Sequence, residues 1–239
     1  MDNTAYLALA RALSVRRRLD VIANNIANMN TPGFKAELER AASVPWRGRD
    51  GERVHFVQDV GRLFDPAEGP LLSTGNPLDL AIHGPGWFTV MTADGPAYTR
   101  AGRFERDPTG RIVTSQGYAL LDENGAPIEI PPDAGEITVA GDGTVSTEEG
   151  PVARIRPVVF ADPAVLRRAG DGLFRTDEIP EPTEKSRIVQ GMLEGSNVRP
   201  VQELTRLMEV QRSYERALQL IGTHYELERR TTERTLARS

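Results

Sequence analysis

Apolar residues recur at helical spacing at both ends of the chain, and the residues between those ends follow another pattern. Near the N-terminus the spacing alternates between four and three over about four heptads. This N-terminal seam consists of Met1, Ala5, Ala8, Ala12, Val15, Leu19, Ile22, Ile26 and Met29. The C-terminal seam consists of Leu204, Leu207, Gln211, Tyr214, Leu218, Ile221 and Tyr225. Both ends are therefore predicted to be long helices, over residues 1–30 and about residues 199–238.

The middle of the chain contains short apolar runs that end at Gly, Pro, Asn or Asp, a pattern typical of antiparallel strands. Strands are predicted at 78–82, 87–91, 98–104, 112–114, 118–121, 128–130, 137–140, 144–146 and 152–160. Residues 35–75 are expected to be irregular extended chain. No strand is predicted after residue 160, where the chain is rich in Pro, Gly and charge.

The predicted fold class is α+β with a mainly β body. Discontinuous N- and C-terminal helices form a coiled-coil-like layer, and an antiparallel β domain is inserted between them. The expected divisions are 1–34 for the N-terminal helix, 35–75 for an extended linker, 76–196 for the β domain and 197–239 for the C-terminal helix.

The two helices have predicted ends. The first stops at Asn30-Thr31-Pro32-Gly33, because proline disfavours helical geometry in the residue before it and Pro-Gly suits a type II turn. The second begins near Pro200, since proline is favoured at the first helical position. Asn24 and Asn28 lie one turn apart, and two roles remain open for their amides: capping the helix C-terminus, or bonding a neighbouring helix.

The helical seams have two interpretations. They could cover the core of the chain's own body, or they could pack among other protomers. The seams lie at the chain ends rather than beside individual strands, and the early N-terminal seam is mostly alanine, which buries little area. Arg and Glu flank both seams, as in coiled coils, although a solvated face explains them equally well.

We take the seams and the asparagines beside them as a candidate assembly interface. Its residues are Val15, Leu19, Ile22, Asn24, Asn25, Ile26, Asn28, Leu204, Leu207, Gln211, Tyr214, Leu218, Ile221 and Tyr225.

Composition narrows the classes of function. The net charge of −5 divides into mildly basic ends and an acidic middle, too weak a pattern for nucleic-acid binding. The absence of cysteine excludes disulfides and thiolate sites, and no apolar run approaches the ~20 residues of a membrane span. Asp2 stands where a secretion signal carries positive charge, so no cleaved Sec signal is expected.

The sequence contains no catalytic constellation. Its three histidines, His55, His83 and His224, form no i, i+4 pair and lie beside no nucleophile. Gly84-Pro85-Gly86 lacks the third glycine and the helix of a nucleotide loop. We expect no enzyme activity, no metal and no cofactor.

Four segments together resemble bacterial flagellar rod and hook proteins. They are Asn24-Asn25-Ile26-Ala27-Asn28 with Thr31-Pro32-Gly33-Phe34-Lys35; Thr74-Gly75-Asn76-Pro77-Leu78-Asp79-Leu80-Ala81-Ile82 with Gly84, Gly86, Trp87 and Phe88; Tyr98-Thr99-Arg100-Ala101-Gly102-Arg103-Phe104; and Leu193-Glu194-Gly195-Ser196-Asn197-Val198 with Glu203, Met208, Gln211, Arg212, Tyr214 and Glu215. Within that family the short length and the Met1-Asp2-Asn3 start are most similar to proximal rod proteins, with distal rod proteins next.

The resemblance implies a structural subunit of the periplasmic flagellar rod. Such a subunit leaves the cell through the flagellar type III export apparatus, has disordered ends as a monomer, and joins copies of itself and other rod proteins. The resulting shaft transmits torque and encloses the export channel, with neither nucleic acid nor membrane insertion involved.

Two other classes remain open. An export chaperone or adaptor predicts folded ends and a small defined complex, whereas a peripheral membrane protein predicts binding to anionic vesicles. Arg16, Arg17 and Arg18 spread around the first helix rather than forming one basic face, which disfavours the membrane class.

Overall fold

The computed structural model describes residues 3–47, 53–131 and 133–236, with side chains described at 12–39, 63–131, 133–216, 218–219 and 222–223. The chain divides into two compact units. The helical unit holds both helices and the segment 37–63. The β unit holds residues 28–36 and 64–198.

Two long helices form most of the helical unit. Helix α1 spans Asn3–Ala27 and helix α2 spans Pro200–Leu236, and the two pack along each other. Pro200 is the first helical residue, as the sequence predicts, because its missing N–H would have no partner there in any case. Helix α1 ends three residues earlier than predicted, and the turn that follows belongs to the β unit.

The described residues also form eighteen strands and one short 3₁₀ turn, Pro163–Val165. The strands are β1 (Glu37–Arg47), β2 (Arg53–Phe64), β3 (Leu71–Ser73), β4 (Leu80–His83), β5 (Phe88–Thr92), β6 (Gly95–Thr99), β7 (Phe104–Arg106), β8 (Ile112–Thr114), β9 (Ala119–Leu120), β10 (Thr138–Val139), β11 (Thr144–Thr147), β12 (Gly150–Arg154), β13 (Val158–Val159), β14 (Arg167–Gly170), β15 (Leu173–Arg175), β16 (Glu181–Pro182), β17 (Arg187–Gln190) and β18 (Met192–Glu194). The predicted mainly β body with a helix at each end is confirmed.

A seven-stranded antiparallel sheet forms the centre of the β unit. Its order is β14-β15-β6-β5-β9-β8-β7. A three-stranded sheet, β10-β11-β12, and the pairs β13-β16, β17-β4 and β18-β3 complete the unit. Strands β3 and β4 thus pair with strands more than a hundred residues later in the chain.

Two buried clusters hold the β unit together. The larger is aliphatic and aromatic and includes Leu80, Phe88, Phe104, Leu120 and Ile188. The smaller surrounds the rings of Phe64, Trp87 and Phe174, whose centroids lie 4.8–5.6 Å apart. Tilted and edge-on ring pairs of this kind add to the free energy gained by burying their area.

The expectation of irregular chain over residues 35–75 is wrong in part, because this segment contains β1, β2 and β3. Strand β2 shows only a short period-two pattern, Val54 and Phe56 on either side of His55, because Val57 and Gln58 then interrupt it. Pro45 within β1 argues against a central strand. It is tolerated here because both strands of a two-stranded sheet are edge strands.

Further expectations about strands are corrected. The run 98–104 is not one strand, since β6 ends at Thr99 and β7 begins at Phe104. Residues 128–130 form no named strand, only an isolated bridge at Glu129, and the run 152–160 is interrupted between β12 and β13. Beyond residue 160, where no strand is predicted, the structure has β14, β15, β16, β17 and β18. These strands have only two to four residues, so their own sequence carries little periodicity, and β15, β17 and β18 also pair with strands much earlier in the chain.

Acidification is expected to weaken the β unit through two turn aspartates. Hydrogen bonds from the Thr109 hydroxyl hold the pKa of Asp107 well below its usual range, and the Thr144 backbone N–H lowers the pKa of Asp142. Because both folded-state pKa values are lowered, their stabilisation is complete above the ordinary value of 3.8 and is lost as pH falls below it.

We therefore predict that Asp107→Asn reduces the acid dependence of the thermal midpoint below about pH 4, because asparagine keeps an acceptor but cannot titrate. Thermal unfolding followed by circular dichroism over a pH series measures this. Asp177→Asn, at an exposed aspartate, is the control. An unchanged pH dependence in Asp107→Asn would contradict the assignment.

Candidate assembly interface

Within helix α1, the described residues of the N-terminal seam face inwards, whereas Met29 lies beyond the helix and is exposed. Ala12, Val15 and Ile22 are buried, and Leu19 and Ile26 are half-buried. The polar residues Arg16, Arg17 and Arg18 are exposed. Since α2 packs along α1 and strand β1 also contacts α1, much of this seam is covered within a single chain.

Helix α2 presents two different faces. An inner face consists of Glu203, Leu207, Val210 and Tyr214, all buried or half-buried. An outer stripe consists of Val201, Leu204 and Met208, whose exposed fractions are 77%, 46% and 54%. At about 100° per residue the stripe lies roughly 90–150° around the helix from the centre of the inner face. Leu218 is also exposed, at 46%, but lies only about 20° around the helix from Leu207. A single chain therefore leaves a row of apolar side chains on α2 in water.

The predicted C-terminal seam is divided between these two faces. Leu207 and Tyr214 belong to the inner face, whereas Leu204 belongs to the outer stripe, and Gln211 and Leu218 are exposed. Ile221 and Tyr225 are in the helix, but their side chains lie outside the described residues. The predicted seam thus combines positions that the structure separates, because one residue of rotation moves a side chain from a covered to an open face.

Asparagines at the end of α1 hold strand β1. The buried Asn25 amide accepts from the Glu37 N–H at 2.7 Å and donates to the Glu37 carbonyl at 3.0 Å, so it pairs with the strand as another backbone would. Asn24 donates to the Glu37 carboxylate at 2.8 Å. Asn28 accepts from the Thr31 hydroxyl within the turn. The structure therefore shows Asn25 bonding to a strand. The sequence left helix capping and bonding to a neighbouring helix open for Asn24 and Asn28, and bonding to a strand was neither of these.

A buried cluster of three charges lies inside the β unit. Glu194, which is 1% exposed, accepts from Lys35 Nζ at 2.6 Å through Oε1 and from Arg100 at 3.1 Å through Oε2. The Gly69 N–H also donates to Oε1 at 2.9 Å. Lys35 and Arg100 are themselves almost fully buried. One carboxylate thereby pairs with two cations that come from separate segments of the chain.

Backbone carbonyls complete the bonding of these cations. Lys35 Nζ donates to the Ala67 carbonyl at 2.7 Å, and Arg100 donates to the carbonyls of Ile82 and Gly84. Burial lowers the pKa of Lys35, and the adjacent Glu194 carboxylate opposes that shift. Buried charges are tolerated only when paired and hydrogen-bonded in this way, so the cluster depends on every member.

The residues next to Lys35 in the chain also contact distant parts of the β unit. Gly33 donates its N–H to the Glu194 carbonyl at 2.7 Å, with φ at +68°. A Cβ atom there would lie 2.3 Å from the Arg100 backbone, so only glycine fits. The Arg168 guanidinium stacks 4.4 Å from the centre of the Phe34 ring and donates to the Lys35 carbonyl.

Asn197 joins the same segment from the C-terminal side. Its Oδ1 accepts from the Ala36 N–H at 2.6 Å, and its Nδ2 donates to the carbonyls of Asp65 and Ala67 at 3.0 Å. Residues 33–36 and 194–198 therefore bond to each other, a few residues from the end of α1 and the start of α2.

Sequence reasoning identified none of Lys35, Arg100, Arg168, Glu194 or Asn197 as interface or site residues. A signal exists at one of them. Glu194 is the single charge in residues 188–198, a run of mostly apolar or small residues. Such a charge indicates a buried ion pair when its partner comes from another run.

Other kinds of site find no support in the part of the chain that the structure describes. No group of three or more His, Asp or Glu residues there could hold a metal ion. His83 is exposed and lies 3.6 Å from Glu68 on the surface. Within those same residues, neither helix is apolar enough over a sufficient length to cross a bilayer.

Three family models match this chain in order. The flagella basal body rod protein model matches residues 7–35, the flagellar hook protein FlgE/F/G D1 domain model matches 81–147, and the flagellar basal body rod FlgEFG protein C-terminal model matches 189–234. The matched regions include Lys35, Arg100 and Glu194.

Whole-chain relatives agree with these models. The flagellar basal-body rod protein FlgF of Caulobacter vibrioides is 43% identical over 240 residues and covers 98% of each chain. FlgF of Salmonella typhimurium is 34% identical, again over 98% of each chain. The rod protein FlgG of Agrobacterium fabrum is 35% identical, over 87% of this chain and 90% of the relative.

We predict that Asn25→Ala destabilises the chain by about 2–4 kcal/mol, since each buried backbone group left without a partner costs about 1–3 kcal/mol. Urea unfolding followed by far-UV circular dichroism measures the change. Asn30→Ala, at an exposed asparagine just beyond the helix, should change stability by no more than about 0.5 kcal/mol. Equal effects of the two substitutions would refute the role of Asn25.

Lys35 and Lys185 are the only lysines in the sequence, one buried and one exposed, and they form a matched pair. We predict that Lys35→Met costs about 3 kcal/mol, the lower end for breaking a buried ion pair, because Arg100 still bonds to Glu194. Lys185→Met should be nearly neutral. The free energy of unfolding in urea distinguishes them, and a neutral Lys35→Met would show that the cluster does not stabilise the fold.

Proposed function

We propose that this chain, which belongs to the flagellar basal-body rod protein family and is a structural rod subunit most like FlgF, polymerises through its two terminal helices. It is a component of the flagellar basal body and assembles with other rod proteins. Its role is structural rather than enzymatic. The proposal concerns which surfaces join the subunits and what the joined helices form.

The outer stripe of α2 carries this proposal. Val201, Leu204 and Met208 lie on one side of a helix whose inner face is buried or half-buried. Exposing such a row costs free energy that a neighbouring helix would recover, by about 1.5–3 kcal/mol for each large side chain buried. We assign the stripe to contacts with helices of adjacent rod subunits.

The same geometry supports an open-ended polymer. The inner face packs within the chain and the outer stripe faces a different direction. In this proposal the outer stripe of one subunit packs against a different surface of the next, so the contact joins unlike surfaces. Unlike surfaces repeated by a rotation that does not close produce a helical filament. The helices would then form a coiled-coil-like inner layer that encloses the export channel.

The helices gain most of their stability from assembly in this proposal. Helix α1 begins with a seam of alanine, and a helix without sufficient packing is marginal in water. In this proposal the helices become ordered only on contact with neighbouring subunits, so the apolar stripe is not a fixed exposed surface before assembly. Close packing in the polymer then supplies the stiffness that transmission of torque requires.

Three finer points belong to the same proposal. We assign the chain to the proximal rod, supported by the higher identity of the Caulobacter FlgF than of the FlgG proteins. We also propose export through the flagellar type III apparatus without a cleaved signal. The chaperone or adaptor class is not favoured, because the relatives that span the chain are named as rod proteins.

The test is a charge placed on the outer stripe. We predict that Leu204→Asp and Met208→Asp abolish incorporation into purified basal bodies and motility, because a charge buried between helices without a partner is costly. The secondary structure of the isolated chain should not change, since both positions are exposed there.

Gln202→Asp is the matched control, because Gln202 is exposed in the same helical turn but does not lie on the stripe. It should assemble normally. Normal incorporation of Leu204→Asp and Met208→Asp together would exclude the outer stripe as a subunit contact.

A further inference from the structure

Residues 187–198, which contain β17, β18 and the segment that leads to α2, contact many separate parts of the β unit. We propose that this segment is a closing latch, meaning that the β unit has no stable folded form until residues 187–198 dock. The part of the β unit that precedes them in the chain remains unfolded until then. The inference concerns folding within one chain and does not depend on the proposed assembly.

Strand pairing provides the first argument. Strand β3 is bonded to β18 alone, with Leu71 opposite Glu194, and β4 pairs with β17, with His83 opposite Arg187. Undocking the latch would thus remove the ladder partners of both strands. Further bonds run from the Gly191 N–H to the Asp79 carbonyl and from the Gly195 N–H to the Pro70 carbonyl.

The hydrophobic core provides the second argument. Ile188 belongs to the larger buried cluster and is only 3% exposed. The Gln190 side chain hydrogen-bonds three backbone groups. Its Nε2 donates to the carbonyls of Pro77 and Ile137, and its Oε1 accepts from the Val139 N–H. Undocking would expose the core beneath Ile188 and leave the 137–139 segment without these bonds.

Charge provides the decisive argument. Glu194 is the carboxylate that bonds both Lys35 and Arg100 inside the β unit. Without it, two buried cations would face each other in a region of low polarity, where an unpaired charge is not tolerated. A β unit closed around Lys35 and Arg100 but lacking Glu194 would therefore be unstable.

The competing arrangement is a central sheet that folds first and accepts the latch later. The seven strands of that sheet lie between residues 88 and 175, so their own hydrogen bonds do not require the latch. The two arrangements differ in one observable. With a closing latch, undocking of residues 187–198 and unfolding of the central sheet are one event.

The consequence is an order of events along the chain. Residues that precede the latch cannot complete the β unit until about residue 198 is available to dock. Where the chain is delivered in an extended state, as the proposed export requires, late closure keeps the body from folding too early. This consequence, unlike the latch itself, rests on the proposed function.

Amide exchange of the full-length wild-type chain in low denaturant tests the proposal. The latch amides are Ile188, Gly191 and Gly195, and the central amides are Ile112, Leu121 and Ile128, each with a backbone acceptor in the structure. We expect both sets to exchange with the same protection factor and the same denaturant dependence. Latch amides that exchange at least about tenfold faster, with the central amides still protected, would overturn the proposal.

Amine labelling provides a second measurement on the same chain, because Lys35 and Lys185 are the only lysines. We expect Lys185 to react at the rate of an exposed amine and Lys35 at least about 10³-fold more slowly, the lower end of folded-to-unfolded ratios. Labelling of Lys35 should rise with denaturant in parallel with exchange of the central amides. Labelling that precedes central exchange would count against a single closing event.

Glu194→Gln, compared with Glu184→Gln at an exposed carboxylate that bonds Arg156, completes the design. We expect Glu194→Gln to accelerate exchange of latch and central amides by one common factor of at least about 100, and Glu184→Gln to change both by less than about twofold. Acceleration confined to the latch amides would overturn the proposal. The wild-type measurements decide the question even if Glu194→Gln fails to fold.

Discussion

A single buried carboxylate, that of Glu194, neutralises two cations from distant parts of the chain. Lys35 lies between the first helix and the β strands, and Arg100 lies at the turn between β6 and β7. Removing any of the three from water is unfavourable on its own, and only their mutual pairing makes the buried arrangement possible. The cluster therefore brings the chain segments before and after the β strands together within one unit.

The surroundings of the cluster follow from that pairing. Gly33 must lack a side chain because the Arg100 backbone lies against it, and Arg168 covers Phe34 while donating to the Lys35 carbonyl. Asn197 then bonds Ala36 from the other side. In the sequence, α1 ends and α2 begins within a few residues of these positions, so the segments that lead to both helices are fixed by the same buried charge cluster.

The helical unit shows the opposite pattern of burial. Its inner contacts are covered, yet Val201, Leu204 and Met208 remain exposed on α2. A lone soluble chain rarely keeps such a row, whereas a subunit of a polymer needs one. The β unit also exposes single apolar side chains, such as Leu72 and Ile179, but those on α2 follow one another along a helix, and such a row fits a family whose members build a shaft.

Sequence reasoning recovered the features that depend on local pattern. Heptad spacing showed α1 and α2, Pro200 marked the start of the second helix, and the runs around Leu80, Val90 and Ile112 predicted strands that are present. Four ordered segments identified the family. Each of these signals is carried by neighbours in the chain, where a period or a turn residue is visible without knowledge of the fold.

Sequence reasoning did not predict the contacts between residues that are far apart in the chain. The late strands β14 to β18 have almost no period of their own, and β17 and β18 exist because β4 and β3 accept them. The sequence could not show which charges meet, so Glu194 seemed an ordinary residue of a motif. It also could not show whether Leu204 lies on the inner face of α2 or on its outer stripe, because one residue of helical rotation decides this. The sequence by itself determined the helices, the β class and the family, because those depend on local period. Only the tertiary structure decided which faces stay exposed and which charges are buried together, because both depend on groups that are distant in the chain and meet in space, as Glu194 meets Lys35 and Arg100 across 159 and 94 residues.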